Sequence, residues 1–176
     1  NTQEDPATII KRFKFILDQT FDGDPINIIA HSYGCLLSSL LANEYENVES
    51  MIALSGPWAG SRAAKWLHMV FRESGLFQHT KPGSNLLDAI SKLKLDFPIS
   101  NIVSTGTSSS ANALAGLGST PNDGLLTLET QRAIPEGFTN CETVEKEVSH
   151  NELLMSMEIV EFIRDKIFNE TEHETE

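Results

Sequence analysis

Apolar residues recur along this chain with two alternating periods, and the alternation predicts helices and strands in turn. Helical spacing predicts amphipathic helices over about residues 6–19, Ser32–Asn43, Asn85–Leu93 and Leu153–Ile167. Short apolar runs between Gly, Pro, Asn and Asp residues predict strands over residues 26–31, 48–54, 97–105 and 138–148. Strands joined through single helices form parallel sheets. The predicted fold class is therefore α/β, a parallel sheet flanked by helices.

Residues 57–96 depart from this simple alternation. Between Ser61 and Glu73, apolar side chains cover more than one helical face. Such a wide apolar face suits a cap over a binding site, and it equally suits a helix buried in the core. We expect residues 57–96 to form a helical insert, at least partly a cap, with core packing as an equal alternative. A Ser/Gly/Ala-rich loop is predicted over Gly106–Thr120, a length that is often functional or mobile.

Length and composition indicate one domain. The chain has 176 residues, of which 40% are hydrophobic and 22% are charged, as in ordinary globular domains. We assign residues 1–168 to a single domain. Residues 169–176, in which Glu alternates with Thr and His, are assigned to an acidic solvated tail.

The charge of the chain restricts its partners. A formal net charge of −12 argues against nucleic acid, because phosphate binding needs Lys and Arg clusters that the sequence lacks. No stretch is apolar for long enough to cross a membrane, and the few His and Cys residues show no metal-ligand spacing. No signal peptide is visible, although the chain opens at Asn1 rather than Met. A soluble chain is expected, with the cytoplasm preferred and the compartment left open.

One predicted strand leads directly into a chemically reactive residue. Residues 26–30 run into His31-Ser32-Tyr33-Gly34, and the chain leaves at once as a helix. A sharp strand-to-helix turn of this kind holds a serine hydroxyl exposed above a parallel sheet. Such a turn is crowded, which explains the small residues Ala30 and Gly34 on either side of Ser32. The alternative is a buried connection in which the serine has no role, but the flanking strand and helix favour a nucleophile.

Two further residues complete a candidate catalytic set with Ser32. A serine hydroxyl needs a base to take its proton, usually a His that a carboxylate holds. His150 follows the last predicted strand and Asp123 the third, so all three lie at carboxyl ends of strands, where open parallel sheets form their sites. Each has an ordinary alternative, a surface His and an Asp-Gly turn. Asp88 and Asp96 are rival acids, less favoured because they precede the third strand or lie beneath it.

His31 and Trp58 are the candidates for substrate binding. His31 adjoins the nucleophile in sequence, and its ring is expected to point away into the fold. Trp58 follows the second predicted strand. The remaining histidines, His68 and His79 in the insert and His173 in the tail, receive no role.

Four segments together resemble one known family. Residues 30–34 resemble the nucleophile turn of lipases in which Ala replaces the first Gly. Residues 122–126 resemble their acid loop, and residues 149–154 resemble the base loop before their final helix. Residues 55–61 resemble the Pro-x-x-Gly-Ser segment of many lipases, with the Pro-Trp form of the lecithin:cholesterol acyltransferase-like branch. The chain thus resembles the α/β-hydrolase superfamily, and within it the lipases and esterases.

This resemblance implies a serine hydrolase that cleaves small-molecule or lipid esters through an acyl-serine, without metal or organic cofactor. It also implies that the backbone N–H of Tyr33 is one donor to the oxyanion. Acyl transfer, thioester cleavage and amide cleavage use the same three side chains, so these alternatives stay open. A binding module that kept the fold and lost turnover is an alternative from a different class.

The resemblance departs from its pattern at the front of the chain. Members of the superfamily carry earlier strands and a loop that supplies the second oxyanion donor, whereas here one helix precedes Ile26. A strand at 26–30 without an upstream partner would leave an apolar edge, an aggregation hazard. We therefore expect upstream strands to be missing, so that this is the carboxyl-terminal part of a longer protein whose upstream segment completes the sheet. Loss of one oxyanion donor costs about 10²–10³-fold in turnover.

Overall fold

Four parallel strands form the centre of the computed structural model, which describes residues 4–61, 64, 75–107 and 119–168. The strands are β1 (Ile26–His31), β2 (Val48–Leu54), β3 (Ile99–Ser104) and β4 (Cys141–Lys146). Each strand pairs in parallel with the next one along the chain, which gives the sheet order β1-β2-β3-β4. The predicted α/β class with a parallel sheet is confirmed.

The helices follow the predicted positions with several changes in length. Their bounds are α1 (Pro6–Phe21), α2 (Tyr33–Glu44), α3 (Gly75–Thr80), α4 (Asn85–Ile90), α5 (Leu128–Arg132) and α6 (Met157–Phe168). Asp5 caps α1 as its sequence suggests, since its carboxylate accepts a hydrogen bond from the N–H of Ala7 at 3.1 Å. The predicted final helix is divided, because a 3₁₀ turn over Glu152–Leu154 precedes α6. The short helix α5 was not predicted.

Two apolar layers cover the sheet, one on each face. Successive strand residues point to opposite faces, so Met51 and Ala53 belong to one layer and Ile52 and Leu54 to the other. The first layer includes side chains of α2 and α4, and the second includes Leu153 of the 3₁₀ turn and Ile159 of α6. All six residues of β3 are buried because the strand is covered on both faces and paired on both edges.

The insert contributes to this core in part. Leu86, Leu87 and Ile90 of α4 are buried in the first layer, so α4 fits core packing, one of the two interpretations left open. The helix predicted over 61–73 lies outside the described residues except at Ser61 and Ala64. Most of the predicted loop at 106–120 and the acidic tail at 169–176 also lie outside them.

Strand β1 forms one edge of the described sheet. It pairs with β2 on one side, and it has no strand on the other side among the residues that the structure describes. Large apolar side chains are exposed on β1 and α1, with Ile29 51% exposed. The others are Phe13, Phe15, Ile16 and Phe21. This edge presents the unpaired backbone groups and apolar surface that edge strands usually avoid.

We expect Gly137→Ala to lower the free energy of unfolding by roughly 1–3 kcal/mol or more. A Cβ at this position would lie 1.9 Å from the carbonyl oxygen of Leu93, which is backbone and cannot rotate away. The carbonyl of Gly137 also accepts the N–H of Leu95 at 2.9 Å, so any shift weakens this contact. Urea denaturation of the purified chain measures the change.

Gly34→Ala is the matched control for Gly137→Ala. Apart from its chain neighbours and the backbone of its own helix, no described atom lies within 4 Å of a Cβ added at Gly34, which belongs to α2. We expect no loss, and a gain of up to about 1 kcal/mol, because Ala favours helix over Gly. Equal destabilisation by the two substitutions would contradict the steric argument.

Candidate active site

Ser32 occupies a strained turn between β1 and α2. Its backbone angles are φ 55° and ψ −124°, a region that residues other than glycine rarely adopt. Its N–H donates to the carbonyl of Leu54 at 2.8 Å, so sheet pairing continues up to the turn. Its own carbonyl accepts the N–H of Cys35 at 3.0 Å and opens the helix. The geometry is the strand-to-helix turn that the sequence predicts, with strain of about 1–3 kcal/mol held by the surrounding structure.

Among the described residues, the crowding around this turn lies on the side of Ala30. Ala30 is buried, and the thiol of Cys35 approaches its carbonyl at 3.4 Å. A Cβ at Gly34, in contrast, would contact no described atom within 4 Å outside its chain neighbours and its own helix backbone. In the part of the chain that the structure describes, the crowding expected beside Gly34 is therefore not found, whereas that beside Ala30 is.

The structure brings together the three side chains of the candidate set. His150 Nε2 lies 3.0 Å from Ser32 Oγ, and His150 Nδ1 lies 2.7 Å from Asp123 Oδ2. Asp123 is 0% and His150 is 4% exposed. Because the carboxylate only accepts, Nδ1 carries a hydrogen and Nε2 of the neutral ring is free to accept from the serine hydroxyl. The arrangement can therefore move a proton from Ser32 to His150.

Asp123 is held by its own loop as well. Its Oδ1 accepts the N–H groups of Leu125 at 2.9 Å and Leu126 at 2.7 Å. Its Oδ2, which contacts His150, also accepts from the side-chain amide of Gln131 at 3.0 Å. Hydrogen bonds to the ionised form of a buried carboxylate replace the water that it has lost.

The backbone of His150 is fixed at both of its polar groups. Its N–H donates to the carbonyl of Asp123 at 2.9 Å. Its carbonyl lies 3.0 Å from Nε2 of His31, which must donate because a carbonyl only accepts. The rings of His31 and His150 lie 4.7 Å apart between centroids at a tilt of 48°. His31 thus contacts the base, whereas the sequence suggested a ring that points away into the fold or meets substrate.

Tyr33 presents different groups to two neighbouring spaces. Its N–H is at the first position of α2, where no helical carbonyl can accept it. This N–H can therefore donate a hydrogen bond to an anion beside Ser32. Its hydroxyl lies 3.0 Å from Nδ1 of His79. Burial raises the pKa of Tyr33 to about 12, and burial also lowers the pKa of His79, so the phenol donates to a neutral imidazole. Sequence patterns gave no signal for this contact of His79.

A small apolar pocket of about 50 Å³ opens beside Ser32. Its other lining residues are Tyr33, Pro57, Ser61, Ala64, Leu76, Phe77, Thr80, Leu125 and Leu126. A larger cavity of about 590 Å³ is lined by α1, α2 and the segment 78–89. Because Tyr33 lines the first space and His79 the second, their hydrogen bond joins the walls of both.

The remaining candidates lie elsewhere. Trp58 is in the core, where its indole N–H donates to Asn101 at 3.1 Å and its ring meets Phe138 edge-on. Asp88 is on the surface and pairs with Lys92 at 2.6 Å, and Asp96 is exposed. The structure therefore does not bring these residues to the group around Ser32.

Two searches cover only the part of the chain that the structure describes. No group of three or more His, Cys, Asp or Glu residues there could hold a metal ion. No helix in those same ranges combines the length and the apolar character needed to cross a membrane.

Comparisons with known proteins identify likeness at the level of structure. No protein-family model matches the chain, and no curated protein matches its sequence. The solved structures that match include phospholipase PlaB from Legionella pneumophila (TM-score 0.56, 13% identity). They also include the Bacillus licheniformis lipase BlEst2 (TM-score 0.66, 13% identity) and a candidate non-heme bromoperoxidase, BpoC, from Mycobacterium tuberculosis H37Rv (TM-score 0.65, 12% identity).

The matched lengths differ among these neighbours. The match to PlaB covers 72% of this chain and 34% of PlaB, so the chain spans about a third of that protein. The match to BlEst2 covers 95% of this chain and 74% of the lipase, and the match to BpoC covers 97% and 76%. At such low identity, these likenesses show a shared fold.

The environment of His31 predicts a pH effect on stability. Burial chiefly, and then the charge of His150, lower the pKa of His31 below its ordinary value of 6.5. As the pH falls, His31 therefore takes up a proton in the unfolded chain before it does so in the folded one. Its contribution to the free energy of unfolding is complete above pH 6.5 and is lost as the pH falls through the pKa of the folded state. We expect His31→Gln to reduce the loss of unfolding free energy between about pH 7 and about pH 5.

Urea denaturation of both chains across this range measures the effect. His79, whose pKa is also lowered, remains in the variant and should preserve part of the slope. A variant with the same pH slope as the unaltered chain would contradict the argument.

Proposed function

Because this chain has the α/β-hydrolase fold, we propose that it is a serine hydrolase that cleaves carboxylic esters through an acyl-serine intermediate. The fold alone hosts several chemistries, so the site must carry the argument. The supporting observation is the continuous line of hydrogen bonds from Ser32 Oγ through the imidazole of His150 to the buried carboxylate of Asp123. The neighbours named as a lipase and a phospholipase agree with this proposal.

In the first half of the proposed reaction, Ser32 Oγ attacks the carbonyl carbon of the ester. His150 Nε2, 3.0 Å away, takes the hydroxyl proton as the new C–O bond forms. The carbonyl electrons pass to oxygen, and the N–H of Tyr33 donates to this oxyanion. Collapse of the tetrahedral intermediate breaks the ester bond, and the imidazolium returns its proton to the departing alcohol.

In the second half, water replaces the alcohol. His150 takes a proton from the water, which attacks the acyl-serine, and then returns that proton to Ser32 Oγ as the carboxylic acid leaves. Asp123 remains a carboxylate throughout. It holds Nδ1–H in place and stabilises the imidazolium in both halves, which its 2.7 Å contact and complete burial favour.

The pocket beside Ser32 suggests where the acyl group of the substrate lies. Its walls include Leu76, Phe77, Leu125 and Leu126, which offer no charge to a bound group. A volume of about 50 Å³ is far below the range of about 300–1,000 Å³ for sites that enclose a drug-sized ligand. The proposed substrates are therefore esters with a short acyl chain.

We expect Ser32→Ala to abolish labelling by a fluorophosphonate probe, because Oγ is the atom that displaces fluoride from phosphorus. Hydrolysis of p-nitrophenyl acetate should fall by up to about 10⁶-fold. Mass spectrometry of the labelled chain should place the adduct on the peptide that contains Ser32.

Ser38→Ala is the control for this substitution. Ser38 lies on the same helix, α2, and is half-buried, but it does not line the pocket beside Ser32. Labelling that persists in Ser32→Ala would refute the nucleophile. A folded, unaltered chain that takes no label would instead favour a binding module without turnover.

The acyl-chain length should decide the rate among esters of one alcohol. We expect kcat/KM to be highest for acyl groups of two to four carbons and at least about tenfold lower at twelve carbons, because a filled pocket rejects added methylenes. Leu76→Ala, which enlarges the pocket, should move the optimum to longer chains. Leu154→Ala is the control, since this residue is exposed on the 3₁₀ turn. An unchanged length profile in Leu76→Ala would contradict this location of the acyl group.

A further inference from the structure

Asp123 has a buried neighbour that the proposed reaction does not use. Gln131 lies on α5, is 0% exposed, and donates from Nε2 to Asp123 Oδ2 at 3.0 Å. This is the same oxygen that accepts Nδ1–H of His150 at 2.7 Å. A movement of the Gln131 side chain therefore affects Asp123 Oδ2, the atom that orients His150.

The amide of Gln131 is fixed in one orientation by the end of β3. Its Oε1 accepts the N–H of Ser104 at 2.9 Å, and its Nε2 also reaches the carbonyl of Ser104 at 3.3 Å. If the amide were flipped, NH₂ would face the N–H of Ser104 and the oxygen would face two acceptors. The contacts thus settle the assignment of oxygen and nitrogen and direct a donor at Asp123.

The backbone of Gln131 is anchored through a second buried amide. The carbonyl of Gln131 accepts from Asn101 Nδ2 at 3.0 Å, and Asn101 Oδ1 accepts the indole N–H of Trp58 at 3.1 Å. Asn101 is fully buried, and Trp58 is 5% exposed. Each residue therefore donates to the next one: Trp58 to Asn101, Asn101 to Gln131, and Gln131 to Asp123.

We propose that Gln131 is a positioning residue that fixes Asp123 Oδ2 for His150, and that Trp58 and Asn101 act through it. The inference rests on the proposed function, since it concerns the same group of side chains. Two backbone N–H groups, one amide and one imidazole fill the acceptor positions of the carboxylate. Without the amide, Asp123 Oδ2 is held by His150 alone, and the carboxylate can pivot about Oδ1, which the N–H groups of Leu125 and Leu126 hold.

The first test replaces Gln131 by a side chain of similar length that donates no hydrogen bond and whose thioether accepts only weakly. Gln131→Met should lower the second-order rate of fluorophosphonate labelling by about 10–100-fold, the effect of losing a hydrogen bond to a charged group. The Nδ1–H proton of His150 should shift and exchange faster with solvent in proton NMR spectra. Arg132→Met is the control on the same helix, because Arg132 forms an exposed ion pair with Glu145.

A double-mutant cycle separates positioning from general stability. Trp58→Phe removes the indole N–H but keeps a ring against Phe138. If Trp58 acts through Gln131, this variant lowers the labelling rate alone but causes no further loss in combination with Gln131→Met. If the two substitutions acted independently on the structure, the reductions that they cause in the labelling rate would multiply. Labelling and the Nδ1–H signal of Trp58→Phe alone provide the test if Gln131→Met does not fold.

The outcomes distinguish this inference from the proposed function. Absence of labelling in the unaltered chain would contradict the hydrolase proposal. The Nδ1–H signal of His150 would still test the contact between Gln131 and Asp123. Labelling within twofold of the unaltered rate in a folded Gln131→Met variant, with an unchanged Nδ1–H signal, would overturn the positioning role. A loss in labelling together with a changed Nδ1–H signal and the non-additive cycle would support it.

Discussion

The buried carboxylate of Asp123 is the constraint around which the site is assembled. A carboxylate removed from water is destabilising by several kcal/mol unless donors replace its hydration. Its four donors come from its own loop, from α5 and from the turn after β4. These segments must therefore be in place together, and an incomplete arrangement leaves an unpaired charge in the interior. The position of the base beside Ser32 follows from the same requirement.

Two neighbouring strands end in strained serines. Ser32 follows β1 with φ 55°, and Ser55 follows β2 with φ 49°. Their N–H groups donate to Leu54 and Ile102 of the next strands, so sheet pairing continues to the point where each chain turns. Positive φ in a residue with a side chain costs about 1–3 kcal/mol and persists only where the surroundings determine it. The parallel register of β1, β2 and β3 fixes these two turns at the edge of the sheet where the site lies.

The sequence predicted the sheet and the three assembled side chains because both depend on strong local patterns: apolar strands, and a candidate reactive residue after three of the four strands. Gln131 and His79 could not be found in this way. They come from α5 and α3, which are five and six residues long, too short for a visible period, and their roles depend on contacts with distant segments. Trp58 was expected beside substrate, but its ring fills the core because Asn101 offers a buried acceptor for the indole N–H.

The exposed edge at β1 affects how the chain behaves in solution. Ile29 of β1 and four apolar side chains of α1 (Phe13, Phe15, Ile16 and Phe21) are exposed. On its other side β1 has no partner strand among the described residues, and such a surface favours association between copies. At neutral pH the net charge of −12 opposes such contact by repulsion. Acidification toward the isoelectric point of about 4.8 neutralises this charge and removes the repulsion while the edge remains. Colloidal stability therefore depends on the excess of acidic over basic residues in this chain.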